Sequence, residues 1–275
     1  MNSLITSNYS RVKLSLIYLP AFLIIAIVLF LYIRDALCAE SYIQIQKDHF
    51  FFLNSKLSQY PSIQNNLTRL GNALIILSFL SIFVIRAPKI WECLASSLFI
   101  SLIICFILKN MFAVPRPAAI YDHGSFTTIG KVLTGHNSTP SGHSLTVFAV
   151  LTVLLFAFMP KKQVYQILWS GLILIIGLAV VLTRVGVGAH HPLDVILGSA
   201  LGFIIGVTGI LINQKYNIWI WINNKKYYPF FIFTFLMCSV TMVFKIIDEN
   251  LFIFYLSLIC LIVSLYKITT LYVKK

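Results

Sequence analysis

The stretch GLILIIGLAVVLTRVGVGAHHPLDVILGSALGFIIG, residues 171–206, contains two apolar runs joined by a short polar turn. Residues 164–182 and 195–212 carry no charged side chain, whereas the turn between them holds an arginine, two histidines and an aspartate. A membrane-spanning helix needs about 20 mainly apolar residues. The stretch therefore predicts two membrane helices with their polar residues gathered where the helices meet.

The same pattern extends over the whole chain and predicts an all-α integral membrane protein. Of the 275 residues, 59% are hydrophobic and 11% are charged, and the mean hydropathy is +0.90. A soluble protein is about one quarter charged. Eight apolar runs approach the spanning length, at about residues 14–33, 70–86, 91–109, 143–159, 164–183, 193–212, 229–246 and 250–270.

The first six runs predict a six-helix transmembrane core over residues 1–212, and residues 213–275 add two further C-terminal transmembrane helices. Because the last two runs are short, a single re-entrant hairpin is an alternative for them. The first run follows two basic residues, as in a signal sequence, but its length favours an uncleaved anchor.

The basic residues are distributed unevenly between the two membrane faces. With the N-terminus in the cytoplasm, twelve of the 21 lysines and arginines fall in cytoplasmic segments, with Glu92 as the only acid there. This positive-inside bias predicts the orientation, and it accounts for much of the net charge of +13 without a nucleic-acid partner. Three loops then face outward, at residues 34–69, 110–142 and 184–192.

The first outward loop carries apolar residues at helical spacing: Phe50, Leu53, Leu57 and Tyr60. This pattern fits an amphipathic helix lying in the membrane interface, and it fits an ordinary surface helix equally well.

Two cations and a helix start lie at the outer ends of the third and fourth runs. In KNMFAVPRP, residues 109–117, Lys109 and Arg116 flank a helix end that the prolines set. In TPSGHSL, residues 139–145, Ser141 and Gly142 begin a helix whose unpaired amides favour an anion, and His143 follows in the first turn.

The turn between the fifth and sixth runs adds Arg184, His190 and Asp194. The aspartate is four residues from His190, so its carboxylate can accept the imidazole N–H and leave the other ring nitrogen free. Each segment alone is typical of ordinary polar helix ends. Together they predict a phosphate site, in which cations and amides hold the oxygens, one histidine attacks phosphorus and another protonates the leaving oxygen.

The three segments resemble the type 2 phosphatidic acid phosphatase superfamily, in its membrane-bound lipid phosphatase branch. The family pattern is K-x6-RP, then PSGH, then SR-x5-H-x3-D, and Thr183 stands where the family usually has serine. The matching residues are Lys109, Arg116 and Pro117, then Pro140, Ser141, Gly142 and His143, then Arg184, His190 and Asp194.

The resemblance implies a role for each matching residue. His190 would be the nucleophile that forms a phosphohistidine, Asp194 would orient it, and His143 would be the general acid. The phosphate would be bound by Lys109, Arg116, Ser141, Gly142 and Arg184, and the family requires no metal and no cofactor.

The remaining histidines are expected outside these roles. His191 lacks the family spacing and is expected to be a neighbour of the site or a substrate contact. His49, His123 and His136 are expected at the surface or the membrane interface.

These features predict a bacterial lipid phosphatase of the cytoplasmic (inner) membrane, with its site facing the periplasm. Its partners would be the bilayer and a lipid phosphate substrate, with no nucleic acid and an open oligomeric state. The sequence does not choose among undecaprenyl pyrophosphate, phosphatidylglycerophosphate, phosphatidic acid and a lipid A phosphate. Alternatives are a lipid-to-lipid phosphotransferase using the same site, a transporter or scramblase with a degenerate site, and, last, an activity like that of the related soluble vanadium haloperoxidases.

Overall fold

The structure is a computed structural model that describes residues 1–122 and 124–274. These residues form an all-α membrane protein of thirteen α-helices, with no β-strand among them. The helices are α1 (Asn2–Tyr9), α2 (Tyr18–Ile33), α3 (Ala39–Gln44), α4 (Lys47–Leu57), α5 (Pro61–Thr68), α6 (Ala73–Phe79), α7 (Phe83–Arg86), α8 (Pro88–Phe112), α9 (Gly142–Ala157), α10 (Gln163–Gly186), α11 (Pro192–Tyr216), α12 (Tyr228–Glu249) and α13 (Phe252–Val273).

Seven of the eight predicted runs form apolar helices of their own. Six segments, containing α2, α8, α10, α11, α12 and α13, are long and apolar enough to cross a membrane, and α9 is a shorter apolar helix. Helices α12 and α13 have 22 residues each, which corresponds to about 33 Å. Each is long enough to cross the membrane separately, so the re-entrant alternative is not formed.

The predicted run at residues 70–86 is not one helix, and this part of the prediction is wrong. Helix α6 ends at Phe79 and α7 begins at Phe83. The indole of Trp91 donates to the Leu80 carbonyl at 2.7 Å, and the Ser81 hydroxyl donates to the Ser78 carbonyl at 2.7 Å. Side-chain donors that take backbone carbonyls in this way compete with the helical hydrogen bonds and bend the chain.

Helix α9 lies at the centre, where α8, α10 and α11 pack around it. Its closest neighbour is α11, because glycines on α11 remove the side chains that would separate the two helices. A Cβ on Gly198 would lie 2.6 Å from the Ser141 carbonyl oxygen, and one on Gly202 would lie 2.5 Å from that of Leu145. Such small-residue stripes let membrane helices approach closely.

This packing brings four helix ends together. Helices α8 and α10 end, and α9 and α11 begin, at the same end of the bundle, which we call the site end. The Ser141 amide at the start of α9 donates to the Asp194 carbonyl on α11 at 3.0 Å, and so joins two of these ends.

The helix predicted from Phe50, Leu53, Leu57 and Tyr60 is formed as α4, which ends at Leu57 and leaves Tyr60 outside, and it packs on protein. Phe50 on α4 is fully buried in a cluster with Val147, Val185 and Val195, and α4 contacts α10. Asn54 donates to the carbonyls of Thr127, Val185 and Gly186. Helix α4 therefore covers the site end instead of lying free in the membrane interface.

The C-terminal helices α12 and α13 pack on each other and on α6. Their apolar cluster includes Ile75 of α6 and Val84 of α7, together with Phe235, Phe254 and Leu261. The C-terminal hairpin, residues 228–273, is thus attached mainly to the segment that precedes α8.

Candidate active site

Asp194 is the most heavily hydrogen-bonded carboxylate at the site end. It is fully buried in the first turn of α11. It accepts hydrogen bonds from the Tyr42 hydroxyl at 2.8 Å, the Ser138 hydroxyl at 2.6 Å, the His191 amide at 2.9 Å and the Thr139 hydroxyl. Four donors hold the carboxylate charged and fixed in orientation, since hydrogen bonds to a charged group are the strong ones.

His190 lies between α10 and α11 and is 1% exposed. Its Nδ1 is 3.7 Å from Asp194 Oδ2, which is too long for a hydrogen bond, and 3.3 Å from Ser138 Oγ. Because the Ser138 proton goes to Asp194, its oxygen is free to accept from Nδ1. The predicted direct hydrogen bond is therefore replaced by a relay through a serine.

The environment of His190 favours its neutral form. Burial lowers its pKa from 6.5 to about 3, against the opposing effect of Asp194, and the charges of Arg116 and Arg184 lower it further. With Nδ1 directed to Ser138, the unprotonated nitrogen is Nε2. It faces the guanidinium of Arg116, whose Nη1 lies 3.4 Å away.

Arg116 is fixed from two sides. Its Nε donates to the Asn137 side chain at 2.8 Å and its Nη1 donates to the Ala189 carbonyl at 3.2 Å. The side chain is 8% exposed. The arginine is therefore presented to the Nε2 face of His190 in one orientation.

Arg184 and His143 lie near each other, in the last turn of α10 and the first turn of α9. Arg184 Nη1 donates to the Thr68 hydroxyl at 2.6 Å, while its buried Nε has no partner within the described part of the chain. The ring of His143 packs on the backbone of Gly71, where a Cβ would lie 2.6 Å from its Cδ2. The positive charges of Arg184, Arg116 and Lys109 act on His143.

Ser141 and Gly142, both predicted to bind phosphate, have different roles at the start of α9. The Ser141 amide donates to the Asp194 carbonyl, and its hydroxyl accepts from the Ser144 amide and hydroxyl at 3.4 and 3.0 Å. Ser141 is thus occupied as the helix cap. A Cβ at Gly142 would lie 3.1 Å from Cys105 Sγ and 4.0 Å from Lys109 Nζ, so the glycine faces these two side chains. The first amides of a helix have no partner inside it.

The remaining histidines differ in how close they lie to this centre. His191 is fully buried beside Asp194, with its Nδ1 3.5 Å from Oδ2 of the aspartate, and its ring centroid is 5.6 Å from that of Phe50 and 6.1 Å from that of Tyr121. His49 and His136 are exposed, as predicted, and His123 lies outside the described residues. The Thr183 hydroxyl donates to the Val180 carbonyl at 2.5 Å and stays within its own helix.

Four residues that the sequence did not single out hold the predicted ones in place: Tyr42, Thr68, Gly71 and Ser138. Among these four, only Ser138 lies next to one of the recognised motifs, two residues before Pro140 of PSGH. Among the described residues, no group of three or more His, Cys, Asp and Glu side chains is arranged to hold a metal ion.

The fold and site define an all-α membrane protein in which two imidazoles and three cations, Lys109, Arg116 and Arg184, are gathered at one end of the helix bundle. Residues 91–219 match the family model of the PAP2 superfamily. The matched segment contains all eight predicted site residues, so the similarity to the PAP2 superfamily covers the whole candidate site.

Two curated relatives are similar over part of the chain. They are the lipid A 1-phosphatases of Rhizobium johnstonii and Rhizobium etli, each 37% identical over 102 residues. The matched residues make up 35% of this chain and 36% and 38% of the two relatives. The chain thus matches little more than a third of the length of these relatives.

A solved structure shares the fold over a larger part. The crystal structure of LpxE from Aquifex aeolicus aligns with a TM-score of 0.50 over 61% of this chain and 95% of that chain. The sequence identity is 21%, so this similarity concerns the fold alone.

Proposed function

We propose that this protein is a lipid phosphatase of the bacterial cytoplasmic membrane that acts through a phosphohistidine on His190. The observation that carries the proposal is the buried neutral His190, with Nδ1 linked through Ser138 to Asp194 and Nε2 facing Arg116. The match of residues 91–219 to the PAP2 superfamily model and the names of the two relatives support it.

In the first step, the lone pair on His190 Nε2 forms a bond to phosphorus while the bond from phosphorus to the leaving oxygen breaks. The electron pair of that bond goes to the leaving oxygen, which takes a proton from His143. Positive charge grows on the His190 ring, and Asp194 stabilises it through the Ser138 relay. Arg116, Arg184, Lys109 and the Gly142 amide stabilise the charge on the phosphoryl oxygens.

In the second step, His143 accepts a proton from a water molecule as the water oxygen attacks phosphorus. The nitrogen–phosphorus bond breaks, its electron pair returns to Nε2, and inorganic phosphate is released. Ser141 contributes by capping α9, which places the Gly142 amide and His143 beside the phosphate.

An apolar groove supports a lipid as the substrate. It has a volume of about 880 Å³ and runs between α2, α10 and α11, lined among others by Leu19, Leu23, Leu178, Leu182, Pro192 and Val195. Pro192, at one end of the groove, follows His190 by two positions in the sequence. A lipid chain in this groove would bring its phosphate to the site end while its tail stays in an apolar environment.

The substrate class we favour is a lipid A phosphate, because both curated relatives carry that activity in their names. Undecaprenyl pyrophosphate, phosphatidylglycerophosphate and phosphatidic acid are the other candidates. We propose that the site end faces the periplasm together with the outward loops 34–69, 110–142 and 184–192, and the positive-inside bias supports this orientation.

The test is a panel of these four lipids offered to purified protein, with released phosphate measured for the wild type and for His190→Ala. We expect the wild type to release phosphate from at least one lipid and the variant to lose the activity. Equal release by both proteins would overturn the assignment. Radiolabel that moves to a second lipid, without free phosphate, would instead show a phosphotransferase.

A further inference from the structure

We infer that the turn of residues 66–71 positions His143 and Arg184, and that the C-terminal hairpin holds this turn in place. The inference rests on the proposed function and extends it to parts of the chain outside the matched family segment, residues 91–219. It gives a role in catalysis to α12 and α13, for which the sequence suggested none.

The contact between Gly71 and His143 is the tightest link. A Cβ on Gly71 would lie 2.6 Å from Cδ2, 2.7 Å from Cβ and 2.9 Å from Cγ of the histidine. Two of these atoms are close to the histidine backbone and cannot swing away, so any larger residue would displace the ring. The absence of a side chain at Gly71 thus determines the position of the His143 ring in the site.

A second link joins the same turn to Arg184. The Thr68 hydroxyl, at the end of α5, accepts from Arg184 Nη1 at 2.6 Å, and both residues are buried. The arginine thereby loses the freedom that a long side chain would otherwise have. Because Arg184 is already ordered before the substrate binds, binding costs less side-chain entropy. This contact therefore preorganises the phosphate site.

The C-terminal hairpin fastens the turn from the other side. Glu249, the last residue of α12, forms an ion pair with Arg69. The Ile253 amide, in the first turn of α13, donates to the Asn66 side chain at 3.1 Å. Both links are at the loop joining α12 to α13, and the hairpin packs below them on Ile75 of α6. The hairpin therefore contacts the turn, and the turn contacts His143 and Arg184.

The dependence of the rate on leaving-group pKa distinguishes a misplaced His143 from a loss of folded protein. A general acid matters most when the leaving oxygen is strongly basic, so loss of its position steepens the dependence of rate on leaving-group pKa. A structural defect that lowers the amount of folded enzyme reduces all rates by the same factor.

The experiment compares Gly71→Ala with Gly171→Ala, a glycine on α10 at which a Cβ would meet nothing within 4 Å. Rates are measured on purified full-length protein with aryl phosphates of graded leaving-group pKa and with the lipid substrate. For Gly71→Ala we expect a loss of about 10- to 100-fold, as a displacement near 1 Å can cause. We also expect a steeper leaving-group dependence, while Gly171→Ala stays at the wild-type level.

Adding His143→Ala completes the test. If Gly71 acts through His143, Gly71→Ala has little further effect in the His143→Ala background. A full additional loss in that background, or a uniform loss over all leaving groups, would overturn the inference.

The hairpin is tested by Glu249→Gln, with Asp248→Asn as the matched control. Asp248 is exposed and forms no ion pair within residues 1–122 and 124–274. For Glu249→Gln we expect a loss of about two- to fivefold, in line with a partly exposed ion pair, with the same steeper leaving-group dependence. An unchanged dependence would remove the hairpin from the inference. A wild type inactive on every substrate would contradict the proposed function instead.

Discussion

The hydroxyl of Ser138 connects His190 and Asp194, the two proposed catalytic residues that the sequence pairs directly. It donates to Asp194 Oδ2 at 2.6 Å and lies 3.3 Å from His190 Nδ1, whereas the histidine and the aspartate are 3.7 Å apart. The carboxylate thus acts on the imidazole through an intervening hydroxyl, and the tautomer of His190 depends on this serine.

Replacing Ser138 by alanine tests this relay. We expect kcat to fall about 10- to 100-fold with little change in KM, because second-layer groups that orient a catalytic histidine have effects of that size. Ser125→Ala, at an exposed loop residue, is the control and should behave as the wild type. A Ser138→Ala enzyme with full kcat would show that Asp194 orients His190 without it.

The buried neutral state of His190 predicts how stability depends on pH. Its folded-state pKa is lowered to about 3, whereas the unfolded chain takes up the proton near pH 6.5. The unfolded state therefore binds more protons as the pH falls below 6.5. Between pH 7 and pH 5 the folded state should lose about 2 kcal/mol on this account.

His190→Gln removes that titrating group and serves as the comparison. The free energy of unfolding in detergent, measured at pH 7 and pH 5, should fall by about 2 kcal/mol less in the variant than in the wild type. Parallel losses in the two proteins would mean that His190 keeps an ordinary pKa in the folded state.

The apolar groove predicts a substitution that affects only lipid substrates. Leu178 lines the groove on α10, away from the reacting groups, so Leu178→Trp should obstruct a lipid tail. We expect KM for the lipid to rise about tenfold, as for the loss of one or two buried methylene contacts, while a soluble aryl phosphate is hydrolysed at the wild-type rate. Equal effects on both substrates would argue against this groove as the tail site.

The cation arrangement predicts the response to a chelator and to vanadate. Because Arg116, Arg184 and Lys109 supply the positive charge, we expect activity to persist in EDTA. Vanadate adopts a five-coordinate geometry like that of the transition state and should therefore inhibit the enzyme. Loss of activity in EDTA that Mg²⁺ restores would contradict this mechanism.

Much of the fold follows from the sequence, since length and hydropathy define seven of the eight runs. The exception, residues 70–86, has a helical composition, and its break depends on the indole of Trp91 and on two serines. Trp91 belongs to the next helix, so no local pattern reveals that contact.

In the site, too, the sequence predicts residues that belong to local motifs but not partners that are distant in the chain. The motif residues Lys109, Arg116, His143, Arg184, His190 and Asp194 are recognisable because their spacing places them at helix ends. Their supporting partners Tyr42 and Thr68 are 152 and 116 residues away from Asp194 and Arg184. A lone hydroxyl in a loop has no periodicity, and only the folded chain shows which carboxylate or guanidinium it meets.

The central claim is the covalent intermediate on His190, and trapping it is the most direct test. Wild-type protein is mixed with ³²P-labelled lipid phosphate, quenched within milliseconds, and tested for protein-bound label that is stable in alkali and labile in acid. We predict such label in the wild type and its absence in His190→Ala. Turnover by the wild type without any protein-bound label, or equal label on His190→Ala, would contradict a phosphohistidine at this residue.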